Sequence, residues 1–284
     1  MTAYLELTCT WPRGRDEELN EILAGADVLG ACLDDESAGV VAVTIYLHGS
    51  LAADASRLAV RLEASGGRNA TLSSVTAHDW LARYRETVRP FAVGERWWID
   101  PHPSNPTDAP AGRIRLDVEQ RSAFGSGSHE STQLVLLGLE EAEVDGKSVL
   151  DVGTGSGILA LAAQAAGAGT VVAFDLDPEA VWVARSTTRD AGHNPPILLF
   201  AGPLAAVARR GFDIVLCNMI SSQFKPLLPE IRRVLDPAGR VILSGLLTTE
   251  LDRVTAAAAR AGLMVESQRT VGEWSSVSAV ADDR

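Results

Sequence analysis

The feature that most narrows what this chain can fold into is the run Ser148-Val149-Leu150-Asp151-Val152-Gly153-Thr154-Gly155-Ser156-Gly157-Ile158-Leu159-Ala160, followed by Thr170-Val171-Val172-Ala173-Phe174-Asp175. A short apolar stretch bounded by a turn signal reads as a strand buried on both faces. The glycines at 153, 155 and 157 let the backbone turn sharply and approach a ligand where any Cβ would intrude. A helix from Ser156 then turns its unpaired N–H groups and positive dipole end towards that turn. The second strand ends on Asp175, whose carboxylate can accept from both hydroxyls of a ribose. Strand, glycine turn, helix and acid-ended strand are how an α/β sheet holds an adenine nucleoside. A dinucleotide is disfavoured: G-x-G-x-x-G needs its third glycine where Ile158 stands.

At 284 residues and 46% apolar composition, the chain can form one large core and a smaller one. Its formal charge of −12, without any lysine–arginine block, gives nucleic acid no basic footprint, so direct nucleic-acid binding is disfavoured. An acidic surface suits a basic partner. No apolar run approaches the ~20 residues of a membrane span, and the first residues lack the basic-then-apolar layout of an export signal. Cys9, Cys32 and Cys217 fall in apparent strands without a pairing pattern, as small core residues of a reducing cytosol do. The histidines make no ligand spacing, so the expectation is a cytoplasmic protein without a metal.

Along the chain, Ala3 to Cys9 alternates as a half-buried strand, and Asp16 to Leu23 opens on acids as helices do. Strands near 28–34 and 39–47 flank a loop, and a helix near 51–64 precedes a strand near 70–76. That βαββαβ order predicts a small ferredoxin-like α+β domain over residues 1–77. Residues 78–89 have the spacing of a connecting helix. Further strands are expected at 96–99 and 113–117. A second glycine loop, Ala123-Phe124-Gly125-Ser126-Gly127-Ser128-His129, leads into a helix from Glu130 to Leu139. After Asp175, Pro178 opens a helix to about Asp190. Strands near 197–200, 213–217, 240–244, 263–269 and 276–281 alternate with helices at about 222–235 and 248–261. Six or seven strands alternating with helices predict a doubly wound, Rossmann-like α/β sheet over residues 90–284. Ligands in such sheets sit beyond the carboxyl ends of the strands, where the strand order reverses. Residues 151–157, Asp175 and Cys217-Asn218-Met219-Ile220 should therefore converge, with the Phe124–Thr132 loop near the same crevice.

G-x-G-x-G ahead of an acidic strand end is the usual pattern of S-adenosylmethionine-dependent methyltransferases. Other segments are more specific: Ala123 to Thr132, Asp151 to Ala160, Asp175-Leu176-Asp177-Pro178, Asn218-Met219-Ile220 and Ser244-Gly245-Leu246-Leu247. Asp79-Trp80 and Gly94 to Ile99 precede them, and Glu273-Trp274 follows. In order and spacing these segments resemble the bacterial ribosomal protein L11 methyltransferases (PrmA-like), over roughly residues 78–275. The resemblance implies a seven-stranded methyltransferase sheet behind an N-terminal substrate-recognition domain and a linker helix. It implies S-adenosylmethionine as cofactor, held by Thr132, Gly153, Asp175 and Asn218. Its implied substrates are lysine side chains and the α-amine of one ribosomal protein. The stretch from Leu116 to Gly125 is longer than the family pattern and lacks its proline and glycine. A family member acting on another protein or a small molecule therefore stays open, as does a non-catalytic nucleoside-binding module.

The other candidates each have a plain structural role beside a functional one. Gly155 and Gly157 complete the first turn. In the preceding loop, beside Gly125, Phe124 is either a lid over the cofactor or ordinary core. Asp151 either anchors the turn or reaches the cofactor's amino group through a water. Asn218 closes a turn or orients an acceptor amine, and His129 is a hydrogen-bonded loop histidine or a catalytic one. Asp177, before Pro178, reads as a helix N-cap. Trp97, Trp98 and Trp274 read as core aromatics. Met219-Ile220 stand where the adenine- and amide-methylating N-P-P-[FY] turn has prolines, which favours an amine acceptor.

Overall fold

The computed structural model describes residues 3–15, 18–19, 22–23, 26, 28, 30–37, 39–76, 89–103, 106–118, 127–189, 196–208 and 210–282. The chain divides into two units, residues 1–87 and 88–284. In the first, β1 (Ala3–Pro12), β2 (Gly30–Ser37), β3 (Val40–His48) and β4 (Arg68–Thr76) form an antiparallel sheet in the order β2-β3-β1-β4. Period-two alternation puts Leu5, Leu7, Cys9 and Trp11 of β1 and Val41, Val43, Ile45 and Leu47 of β3 on its buried face. Helix α1 (Ala52–Ala64) turns Ala55, Leu58 and Leu62 into the same core. Leu19 and Ile22, in the predicted first helix, are helical and buried there too. The arrangement is ferredoxin-like. One boundary differs: the expected loop after residue 34 is strand, because β2 continues to Ser37 through a bulge and Gly39, at φ +103, makes the turn. Pairing with β3 overrides the loop-like composition of Asp35-Glu36-Ser37. Residues 78–88 of the expected linker helix lie outside the described residues.

The second unit begins with a small sheet of β5 (Phe91–Val93), β6 (Trp97–Asp100) and β7 (Ile114–Asp117). Trp97 is fully buried, and its indole N–H donates to Leu136 O at 2.9 Å on α2 (Glu130–Glu141). The main sheet comprises β8 (Ser148–Val152), β9 (Thr170–Asp175), β10 (Leu198–Ala201), β11 (Phe212–Asn218), β12 (Leu235–Leu247), β13 (Leu263–Val271) and β14 (Trp274–Ala281). Its seven strands run β10-β9-β8-β11-β12-β14-β13, with β14 antiparallel to both neighbours and the first five parallel. Every residue of β8 is buried, as a two-sided core strand requires. Helices α3 (Ile158–Ala165) and α4 (Pro178–Arg189) form the crossovers beside it. From β8 the chain steps outwards to β10 and then returns to β11 on the other side of β8. That reversal parts the loops at the carboxyl ends of β8 and β11.

The helix expected over 222–235 is broken into α5 (Ser221–Phe224), a 3-10 turn (Lys225–Leu227) and α6 (Leu228–Val234). Pro226 and Pro229 lack the N–H that would continue it, and each instead sits in the first positions of a new turn. Helix α7 (Leu251–Arg260) then follows β12. Among the described residues, no helix is long and apolar enough to cross a membrane.

Candidate functional site

A crevice of about 720 Å³ opens at the carboxyl ends of β8, β9 and β11. On one side lies the glycine turn. Gly153 N–H and Thr154 N–H donate to Phe174 O at 3.1 and 2.9 Å, tying the turn to the end of β9. Asp175 completes the tie: Oδ2 accepts Gly155 N–H at 3.0 Å and Oδ1 accepts Asp177 N–H at 3.1 Å. Each carboxylate oxygen keeps a further lone pair for a ligand hydroxyl. Gly153, Gly155 and Asp175 all line the crevice.

Gly157 and Asp151, also expected at the cofactor, are not among the lining residues. A Cβ on Gly157, at φ +85, would meet Ala184 Cα and Cβ at 3.0 Å, so this glycine lets α3 pack against α4. Helix packing is the role that this geometry gives it. Asp151 is fully buried behind the turn, where Oδ2 accepts the Thr154 hydroxyl at 2.7 Å. The Ala160 backbone N–H also bears on the carboxyl. Of its two expected roles, anchoring the turn is the one this geometry performs. Burial pushes the Asp151 carboxyl up to about 7; the Thr154 hydroxyl and the Ala160 backbone N–H pull the other way, and the Asp175 charge adds to the rise. Asp177 caps α4 as expected, accepting Glu179 N–H at 2.8 Å.

The other side is built from the ends of β11 and α2. Asn218 Nδ2 donates to the hydroxyl of buried Thr132 at 3.0 Å, and both residues line the crevice. Once the amide nitrogen is committed, Asn218 Oδ1 remains a buried acceptor without a partner among the described residues. A buried, unpaired amide oxygen is costly and calls for a donor. His129 caps α2: Nδ1 accepts Ser131 N–H at 3.2 Å and shares a hydrogen bond with Ser131 Oγ at 2.8 Å. The imidazole lines the crevice, and its ring lies edge-on to Trp274 with centroids 4.8 Å apart. Phe124 and Gly125 lie outside the described residues.

Met219 lines the crevice, as its place after β11 leads one to expect, and Trp274 does so against expectation. Trp274 is a crevice wall, not the core aromatic its composition suggested; Trp97 remains core. Met219 is wedged between two glycines. A Cβ on Gly153 would fall 2.8 Å from Met219 Sδ, and one on Gly245 would fall 2.4 Å from Met219 O. Gly245 sits at a bulge of β12 at φ +84, and a lone glycine inside an apolar strand was the available signal. Val152, Phe174 and Leu204 make apolar walls, while Leu176 and Ile220 stand 73% and 52% exposed at the rim. A strand-end carboxylate, an apolar slot beside a side-chain-free glycine turn and an unpaired amide oxygen fit a nucleoside carrying a cationic, N–H-bearing tail. Among the described residues no three metal-binding side chains cluster.

Comparison with known proteins agrees with this geometry. The family model described as "Ribosomal protein L11 methyltransferase (PrmA)" matches residues 4–282. A ribosomal protein L11 methyltransferase of Myxococcus xanthus is 32% identical over 284 residues, covering 95% of this chain and 96% of that one. Another, from Pelobacter propionicus, is 32% identical over 299 residues, with 96% of each chain covered. The crystal structure of a ribosomal protein L11 methylase from Lactobacillus delbrueckii subsp. bulgaricus superposes with a TM-score of 0.64 at 28% identity, over 69% of this chain and 100% of that one.

Proposed function

Because the chain belongs to the ribosomal protein L11 methyltransferase family, we propose that its crevice transfers methyl groups from S-adenosylmethionine to lysine side-chain and N-terminal amines of ribosomal protein L11. S-adenosylmethionine, when bound, supplies a methyl group already activated by its sulfonium. We assign the ribose hydroxyls to Asp175 and the polar tail to the space beside the Gly153–Gly155 turn. Thr132 buttresses the far side.

What remains for this chain is to present an amine in the right protonation state and direction. A lysine, which in water titrates near ~10.4, must first lose a proton, and that costs about 5 kcal/mol near neutral pH. Apolar walls of Val152, Phe174 and Met219 disfavour the ammonium and so lower that cost. Asn218 Oδ1 accepts an N–H of the neutral amine and turns its lone pair away from the amide. Such alignment is the largest contribution available where no acid is needed for the leaving group. The unpaired Asn218 oxygen, held by Thr132, is the observation that carries this reading. The acidic surface, at −12, suits a basic ribosomal protein, and we assign residues 1–77 to recognising it, 90–284 to the chemistry and the cytoplasm as its place of action.

The test is incubation with labelled S-adenosylmethionine and ribosomes from a methylation-deficient strain, with mass spectrometry of the products. Label in L11 amines is expected. Asn218→Ala is expected to lower turnover about 100-fold at saturating cofactor, a larger effect than its loss of cofactor affinity. Label confined to another protein or a small molecule, or full turnover by Asn218→Ala, overturns the assignment.

A further inference from the structure

The turn that carries Asn218 is tied down at several points, most of them inside the site already described. Asn218 bonds to Thr132, Met219 N–H donates to Ser244 O at 3.2 Å, and the missing Cβ of Gly245 makes room for the Met219 backbone. One tie lies outside the crevice. Ser221 Oγ, in a residue 3% exposed, donates to Glu250 Oε1 at 2.5 Å, and Glu250 Oε2 accepts Leu247 N–H at 3.0 Å. Glu250 does not line the crevice. The two oxygens of this one carboxylate therefore join the turn after β11 to the turn after β12.

Between Asn218 and Ser221 lie only Met219 and Ile220, and the Ile220 side chain projects 52% exposed at the rim. An exposed side chain does not hold a turn in place, so the direction of the Asn218 amide depends on what anchors the two ends of this short link. Thr132 holds one end through the amide itself. Glu250 holds the other through Ser221, with charge-assisted hydrogen bonds that are stronger than neutral ones. Those two bonds, with the Lys225 and Arg253 charges nearby, also hold the Glu250 carboxyl below the usual carboxylate range, so it stays ionised near neutral pH.

We propose that Glu250 is a positioning residue for methyl transfer: by gripping Ser221 it keeps the Asn218 amide oxygen aimed at the acceptor amine. Its kinetic consequence rests on the methyl-transfer reading given above, whereas its structural consequence does not. Losing the grip lets the Asn218–Ile220 turn sample other conformations while Asp175 and the glycine turn stay as they are. Turnover should therefore fall without loss of cofactor affinity.

The test uses the full chain as wild type and as E250A, S221A, the E250A/S221A double variant and E250Q. The amide of E250Q can still accept Leu247 N–H and can donate to Ser221 Oγ, so it should restore most of what E250A loses. Hydrogen exchange of the peptide spanning residues 216–225, measured without cofactor or substrate, should quicken about tenfold in E250A and in S221A, and no further in the double variant. With a methylatable ribosomal substrate, E250A and S221A should each lower kcat about tenfold, with the Kd for S-adenosylmethionine within about twofold of wild type. Unchanged exchange at 216–225 in E250A, effects of the two single substitutions that multiply, or cofactor affinity falling in step with kcat would each overturn the inference. A wild-type protein that labels no L11 counts against the proposed function instead, and the exchange measurement then decides the clamp alone.

Discussion

Replacing Asp151 by asparagine should raise the stability of the cofactor-free protein at pH 8 far more than at pH 5. Asp151 is fully buried, with Oδ2 accepting the Thr154 hydroxyl at 2.7 Å and the Ala160 backbone N–H bearing on the carboxyl. Its carboxyl is pushed up to about 7 by burial, from an ordinary value of 3.8. The sign follows from proton binding. Between about pH 4 and pH 7 the folded protein holds this proton and the unfolded chain has released it, so stability falls as pH rises through that window. Below it the group costs nothing; above it the loss levels off near the full shift, about 4 kcal/mol at about 1.4 kcal/mol per pH unit. Asparagine keeps an acceptor for the Thr154 hydroxyl and removes the titration. From pH 5 to pH 8 the variant should thus gain about 3 kcal/mol over wild type, which for a unit of this size is a relative rise in Tm of about 6–12 °C. Paired thermal melts at the two pH values measure it. A difference in Tm that does not change with pH would refute the claim that the folded protein holds this proton.

Two glycine substitutions probe the wedge around Met219. Gly153→Ala places a Cβ against the Met219 thioether and forces an alanine to φ +72, which costs about 1–2 kcal/mol in backbone strain alone. Cofactor affinity should fall about tenfold by calorimetry, with partial recovery in a Gly153→Ala/Met219→Ala protein, and wild-type affinity in the single variant would contradict the placement. Gly245→Ala meets the Met219 backbone, which cannot swing aside as a thioether can. Chemical denaturation should show a loss of at least about 2 kcal/mol, and an unchanged midpoint would mean that the bulge absorbs the Cβ.

The main sheet was legible because buried strands and amphipathic helices carry different periods, and β8, β9 and β11 fall where those periods place them. The meeting of the glycine turn, Asp175 and Asn218 in one crevice was legible for a different reason. Positions just past the strand ends converge at a reversal of strand order whatever the side chains between them. Local composition misled where backbone pairing or missing donors decided the outcome. Asp35-Glu36-Ser37 has the look of a loop yet pairs with β3, and Pro226 and Pro229 cut a helix whose apolar spacing continues straight through them. Gly157 matched the motif as well as Gly153 did. Only the facing residue, Ala184 in one case and Met219 in the other, separates a packing glycine from a crevice glycine.

That last contrast reaches the residues that sequence could not supply. A motif records which side chains recur at a spacing, whereas a role in a crevice depends on what lies opposite. Trp274 stands at the start of β14, far along the chain from His129, and nothing in its surroundings distinguishes it from Trp97 until the sheet brings it 4.8 Å from that ring. Glu250 is harder still: it opens a helix with an acid, as most helices do, and its bond to Ser221 spans 29 positions. The Asn218 oxygen links the two kinds of information. Its residue type and position after β11 were readable, but its lack of a partner follows from Thr132, 86 positions away, having claimed the amide nitrogen. Hydrogen-bond supply and demand is settled across the folded site as a whole, so an acceptor left wanting a donor at a crevice wall is legible only once the chain is folded.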